Sequence, residues 1–303
     1  MIRDSAGDGP TPRGGSVVRR LSAKLYPHRG VKLGLTLGPT LTWMIVVYLA
    51  SLSLMLVTAF WHTNELTSKI DRTWSLGNFR TLLNNSVYRT IALRTVGLAV
   101  AVTLTDLVLA APIAYFAARM AKPRTRSILL LAVVMPLWSN YLVRVFAWRT
   151  ITAGDGPLQS LLDAVGIHYS ISASNWAVWL TFCYLWLPFA ILPIYAALER
   201  LPASLLEASS DLGAHDGMTF RRIVVPLVVP GLVAASIFTF SLTLGDYITP
   251  TLVGKGFFIG NAIYNLAGVA QNLPLAAAFA SVPIVIVAIY LLLARKLGAF
   301  EAL

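Results

Sequence analysis

Apolar positions in this chain neither alternate nor ride on one face of a helix; they come in runs of about twenty residues, parted by polar stretches. A helix rising 1.5 Å per residue needs about 20 mostly apolar residues to cross a bilayer. Six runs meet or approach that length, at roughly 34–61, 93–116, 128–148, 176–197, 228–249 and 275–294. The pattern predicts an all-α integral membrane protein of six transmembrane helices. The first run has no charge between Lys32 and Glu65, and its Gly34 and Gly38 form a small-xxx-small pair of the kind that lets helices approach. Residues 1–33 are polar, rich in Gly, Pro, Ser and Arg, and hold no short apolar core followed by a small-residue cleavage site. They read as a polar tail ahead of an uncleaved first span, with 34–303 as one transmembrane domain.

Composition agrees with a bilayer solvent. Of 303 residues 57% are hydrophobic and 12% charged, and the mean hydropathy is +0.71. The formal charge of +11 does not point to nucleic acid, because the basic residues are scattered among apolar runs and not interleaved with base-stacking aromatics. It follows instead from the bias of Lys and Arg toward cytoplasmic segments. With both termini in the cytoplasm, Arg3, Arg13, Arg19, Arg20, Lys24, Arg29, Lys32, Arg119, Lys122, Arg124, Arg126, Arg200, Arg221, Arg222, Arg295 and Lys296 all fall inside, a majority of the 24 basic residues. Trp61, Trp148 and Trp176 then lie at the outer interface, where amphipathic rings settle. Cys183 is the only cysteine, which excludes an internal disulfide and a cysteine metal cluster.

The connection from about 198 to 227 is patterned as a mere linker would not be. Pro202 suits a first helical position, Leu205, Leu206, Ser209 and Leu212 keep helical spacing, and Gly213 offers the left-handed conformation that closes a helix. A second short helix is expected from Asp216, as its cap, through Phe220 and Ile223 to Pro226. Helix, sharp glycine turn and helix would sit just under the membrane.

Glu207-Ala208-Ser209, three residues, Gly213, nine residues, Ile223, one residue, then Val225-Pro226 resembles the EAA loop of ABC importer permeases, whose second Ala and Leu are here Ser209 and Val225. The resemblance covers nearly the whole chain beyond the tail. It includes Trp74 with Asn78-Phe79 and Arg94-Thr95 before the second span, and Pro136, Val143-Arg144 and Ala147-Trp148 in the third. Gly245-Asp246-Tyr247-Ile248-Thr249-Pro250, Gly260-Asn261 and Asn272-Leu273-Pro274-Leu275 are similar to the spermidine/putrescine permease branch. This implies a type I ABC importer permease in a bacterial inner membrane, importing a small organic cation such as a polyamine. Glu207, Ala208, Gly213, Ile223 and Pro226 would form the coupling element seated on an ATPase subunit. The implied partners are two ATPase subunits, which use ATP and Mg, an extracytoplasmic solute-binding protein and a second, similar permease. This chain itself would bind no cofactor.

Two ionisable residues within spans are candidates for function, since a charge at mid-bilayer costs about 2.5–3.5 kcal/mol on insertion scales. Asp106 shares a face with Thr95, Ala99, Thr103 and Ala110; it reads first as hydrogen-bonded in a packing seam and is retained as a pathway candidate. On the fifth span Ser236, Thr239, Thr243 and Asp246 recur at i, i+3, i+7 and i+10, within an arc of about 80°. Such a stripe serves a cation pathway, with Tyr247 beside it, or merely satisfies backbone carbonyls. Arg94 and Arg144 read as helix-end residues snorkelling to the interface, and His168 and His215 have no metal-ligand spacing.

Three functional classes suit a chain of this kind. The chain has no GxxxxGK[ST] loop and so no P-loop of its own. An ion-driven carrier would use Asp106 as a proton site, yet the chain shows no internal repeat of the kind carriers often have. A membrane enzyme would need convergent catalytic groups at one depth, and Asp106 and Asp246 stand on different spans at different depths. An importer permease driven by a separate ATPase is the reading that remains.

Overall fold

The computed structural model describes residues 29–64 and 69–296, so the basic residues of the tail up to Lys24 lie outside it. The chain divides into two units, 1–57 and 58–303. The first contributes α1, Arg29–Thr58, which contains Pro39; its segment Leu37–Thr58 is long and apolar enough to cross a membrane.

In the second unit a small hairpin, β1 (His62–Thr63) and β2 (Ile70–Asp71), precedes the short α2 (Gly77–Asn84). Asn78 secures α2 by donating to the carbonyls of Ala59, at 2.9 Å, and Trp61, at 2.8 Å. The long α3 (Ser86–Tyr115) is capped by Asn85 and ends in a π-turn, Phe116–Met120. Next come α4 (Pro123–Val134), α5 (Tyr141–Ile151), α6 (Pro157–Ala164) and α7 (Asn175–Glu199). The loop holds α8 (Ala203–Asp211) and α9 (Asp216–Thr219). A π-turn, Phe220–Val224, joins α9 to α10 (Val225–Gly245) without interruption. The short α11 (Ile248–Val253) and α12 (Ile259–Gly268) lead to α13 (Leu273–Lys296).

α3, α7 and α10 form the packed centre. Their contact is built from small residues, with Ala99, Ala110, Ala114, Ala190 and Ala235 fully buried, as expected where lipid removes the hydrophobic drive and close backbone approach supplies the attraction. Gly231 of α10 lies close against α7: a Cβ there would lie 2.5 Å from Ala197 Cβ and 2.9 Å from the Pro193 carbonyl oxygen.

Among the described residues five helices, or six segments when one bent pair is counted, are long and apolar enough to span a membrane. The single helix expected over 128–148 is corrected: Pro123–Trp138 and Tyr141–Ile151 meet at 96°. Pro136 lacks an N–H, Ser139 is extended, and Asn140 turns its side chain to cap α5 by accepting from Leu142 N at 2.8 Å. The separate helix expected from Asp216 to Pro226 is corrected as well, since it runs straight into α10. Pro226 has no N–H for the carbonyl four residues back, which favours a π-turn just before it.

Candidate functional site

Two places in the second unit carry the residues singled out from the sequence: the loop between α7 and α10, and the opposite end of α10.

At the loop, α8 ends at Gly213, whose φ of +75° is the left-handed conformation expected of it. Leu212 N and Ala214 N donate to the carbonyls of Ala208 and Ser209 at 3.1 Å. The helix begins at Ala203 with Pro202 as its cap, one residue later than expected, and the cap of α9 is His215, not Asp216. His215 Nδ1 accepts from Met218 N at 3.3 Å. Ser209, standing where the EAA pattern has Ala, is buried, and its hydroxyl meets that of Thr219 at 2.7 Å across the turn. Leu206 faces the core while Leu205, Glu207, Ala208 and Leu212 face outward, Leu212 being 88% exposed. Ile223 is half-buried and Pro226 exposed on the helix that continues into the span. The loop is thus a short rigid bracket with an exposed apolar tip beside a carboxylate, joined at both ends to packed helices.

At the far end Asp246 is not on the helical stripe assigned to it. α10 stops at Gly245, and Asp246 is extended, with φ −76° and ψ 128°. Its Oδ1 accepts from Ile248 N at 2.8 Å and Thr249 N at 3.1 Å, capping α11. Its Oδ2 accepts from Thr249 Oγ1 at 3.1 Å and from the hydroxyl of Tyr141. The carboxylate therefore ties the break in the third span to the break after α10. Tyr247 is 42% exposed, and its ring stacks on that of Tyr264, with centroids 5.3 Å apart and planes 13° apart. Gly260 permits this arrangement, because a Cβ there would lie 2.8 Å from the Asp246 carbonyl oxygen. The Gly-Asp-Tyr and Gly-Asn segments thus touch, a contact the sequence alone does not reveal. Asn261 caps its own helix by accepting from Phe258 N at 2.5 Å.

Ser236, Thr239 and Thr243 do share one face, but that face is buried. Thr239 donates to the Ala235 carbonyl at 3.1 Å, Thr243 to Thr239 at 2.7 Å and Ser236 to Val233 at 2.7 Å. These hydroxyls satisfy their own backbone and do not line open space within the chain. Asp106 is fully buried on the expected seam with Thr95, Ala99, Thr103 and Ala110. Neither carboxyl oxygen has a partner at strict hydrogen-bond geometry; the group that meets the carboxyl from the neighbouring helix is the Cys183 thiol of α7. Arg144 departs from the snorkelling expected of it, since its Nε and Nη1 are buried without partners. Thr95 Oγ1 accepts from Ile259 N at 3.0 Å, fixing the start of α12. Among the described residues no three His, Cys, Asp or Glu gather as a metal ion would require.

Residues 110–299 match the model of the family described as binding-protein-dependent transport system inner membrane component. Over 299 residues the chain is 42% identical to the inner membrane ABC transporter permease protein YdcU of Escherichia coli (strain K12), covering 94% of this chain and 95% of that protein. It is 31% identical over 229 residues to the spermidine/putrescine transport system permease protein PotB of the same strain, covering 74% and 82%. A chain of the bacterial alginate ABC transporter, crystallised with its alginate pentasaccharide-bound periplasmic protein, shares the fold with a TM-score of 0.72 at 17% identity, covering 92% of this chain and 97% of that one. A multi-pass helical chain with these relatives is no enzyme itself: it is an inner membrane ABC permease, a member of the binding-protein-dependent transport system inner membrane component family.

Proposed function

We propose that this chain imports a small organic cation, a polyamine such as spermidine or putrescine, as one permease of an ATP-driven complex. The observation that carries the reading is the α8–Gly213–α9 bracket, a helix-turn-helix closed by a left-handed glycine, with an exposed tip and a helix that runs on unbroken into α10. A partner that closes on ATP would grip Glu207, Ala208 and Leu212 and turn α7 and α10 with them, as a rigid-body transition requires. In this reading the bracket and both termini are cytoplasmic. Two ATPase subunits, consuming ATP and Mg, act from that side. A solute-binding protein and a second, homologous permease complete the complex.

Polyamine as cargo draws support from the similarity to PotB and from the chemistry at the far end. Asp246 supplies negative charge beside the Tyr247 ring, whose face attracts an ammonium group by about 0.5–2 kcal/mol according to desolvation. Because Asp246 already accepts four hydrogen bonds, the cation meets the Tyr247 ring first, with the carboxylate acting over a longer distance. The test is uptake of labelled spermidine by the reconstituted complex. Competition by putrescine and not by trehalose supports the assignment; competition by trehalose, or no spermidine uptake by an ATP-responsive complex, overturns it.

A further inference from the structure

Where the bracket leaves α7, the chain is held by a residue from a distant helix. Arg119, in the π-turn ending α3, donates through Nη2 to the carbonyls of Leu198, at 2.6 Å, and Leu201, at 2.7 Å. These carbonyls lie in the last turn of α7 and just beyond it, where the peptide dipoles leave negative character and a cation is favoured. α8 begins two residues after Leu201. Arg119 is half-buried, and its Nε is shielded from solvent without a partner. A desolvated guanidinium is costly, so the two carbonyl bonds are what offset its placement.

The surroundings make the contact specific. Ala117, in the same π-turn, is buried with Leu198, Leu201 and Val224 in one cluster. Tyr115 at the end of α3 meets Phe220 of the second π-turn edge-on, with ring centroids 5.7 Å apart. α3 and α10 thus each have a π-turn at this level, a feature frequent at functional sites. Arg126, on α4, pairs with Glu199 and lies over the Tyr195 ring, its Cζ 5.2 Å from the centroid. That pair is more exposed, and exposed pairs contribute about 0–1 kcal/mol; the two bonds from Arg119 are the stronger attachment.

We infer that Arg119 is a positioning residue that carries movement of α8 into α3, so that the bracket drives three spans and not only the two to which it is covalently joined. This rests on the importer reading above. α3 has no peptide connection to the loop, so it follows the bracket only through its contacts with α7 and its neighbours. Two charge-assisted bonds from one guanidinium nitrogen to the carbonyls at the elbow resist sliding and move α3 with α7.

The test uses the purified complex with both ATPase subunits, its cognate solute-binding protein and spermidine as probe. Arg119→Gln is expected to leave subunit content and basal ATP hydrolysis unchanged while stimulation by the spermidine-loaded binding protein falls about tenfold. Arg119→Lys is expected to recover part of it, because an ammonium also has N–H groups for the two carbonyls but lacks the reach and fixed planar geometry of the guanidinium. Stimulated hydrolysis within twofold of wild type in Arg119→Gln would overturn the inference, as would loss of ATPase subunits in step with the loss of stimulation. A wild-type complex indifferent to the loaded binding protein would instead refute the importer reading, and this inference with it.

Discussion

Gly213 offers a clean perturbation of the bracket, because its backbone is special and its surroundings are not. Its φ is +75°, and a Cβ placed there would meet nothing within 4 Å. Substitution therefore adds no clash, and the whole penalty lies in the left-handed backbone. For an ordinary L-residue that conformation costs about 1–2 kcal/mol, a factor of about 5–30 in the population of the closed turn; a β-branched residue lies at the upper end. Asn tolerates this region and should cost least. In the reconstituted complex, binding-protein-stimulated ATP hydrolysis should fall in the order Gly213→Asn, Gly213→Ala, Gly213→Val, with the last reduced about tenfold while membrane insertion persists. Side-chain volume rises from Ala to Asn to Val, so a ranking by size would put Ala ahead of Asn. Equal, near wild-type stimulation in all three variants would refute the assignment of the bracket as the coupling element.

Three further outcomes follow from the geometry. Gly231→Ala would force α10 away from α7 at the Pro193 carbonyl, 2.9 Å from the new methyl; overpacking of this kind costs about 1–3 kcal/mol and should lower the detergent melting temperature of the complex, whereas an unchanged melting temperature would show that the helices separate freely. Tyr141→Phe removes one bond to Asp246 and leaves the charge, so spermidine uptake should survive better than in Asp246→Asn; full uptake by an assembled Asp246→Asn complex would rule out the charge contact. With Cys183 replaced by Ser, a thiol moved to exposed Ser160 should react with a membrane-impermeant reagent in intact cells and one at exposed Ser127 should not; labelling of both would overturn the topology.

The elements that could be read from the sequence are those with a local cause. Long apolar runs mark spans because a bilayer leaves few alternatives. The bracket is legible because Gly213 and the helical spacing before it act over a dozen residues. What stayed hidden depends on tertiary contact or on where a helix stops. The period that placed Asp246 with Thr243 and Thr239 continues in sequence past Gly245, but the helix does not. The hydroxyl face was visible, yet its bonds to its own carbonyls were one of two readings until burial decided between them. Arg119 gave no local sign, because its partners are 79 and 82 residues away. Gly231 was one of 21 glycines, distinguished only by what lies against it. Pro136 and Asn140 both signal a break, but the apolar run across them masked the 96° bend.

On the proposed function, solute moves through this chain at the expense of ATP hydrolysed by a partner, with the work transmitted through the bracket. The most direct measurement is uptake of labelled spermidine into vesicles holding the reconstituted complex, with ATP supplied on the ATPase side and ion gradients collapsed by ionophores. Uptake should require both ATP and the solute-binding protein and be indifferent to the ionophores. Uptake that persists without ATP and is abolished when the gradients are dissipated would contradict the proposed function.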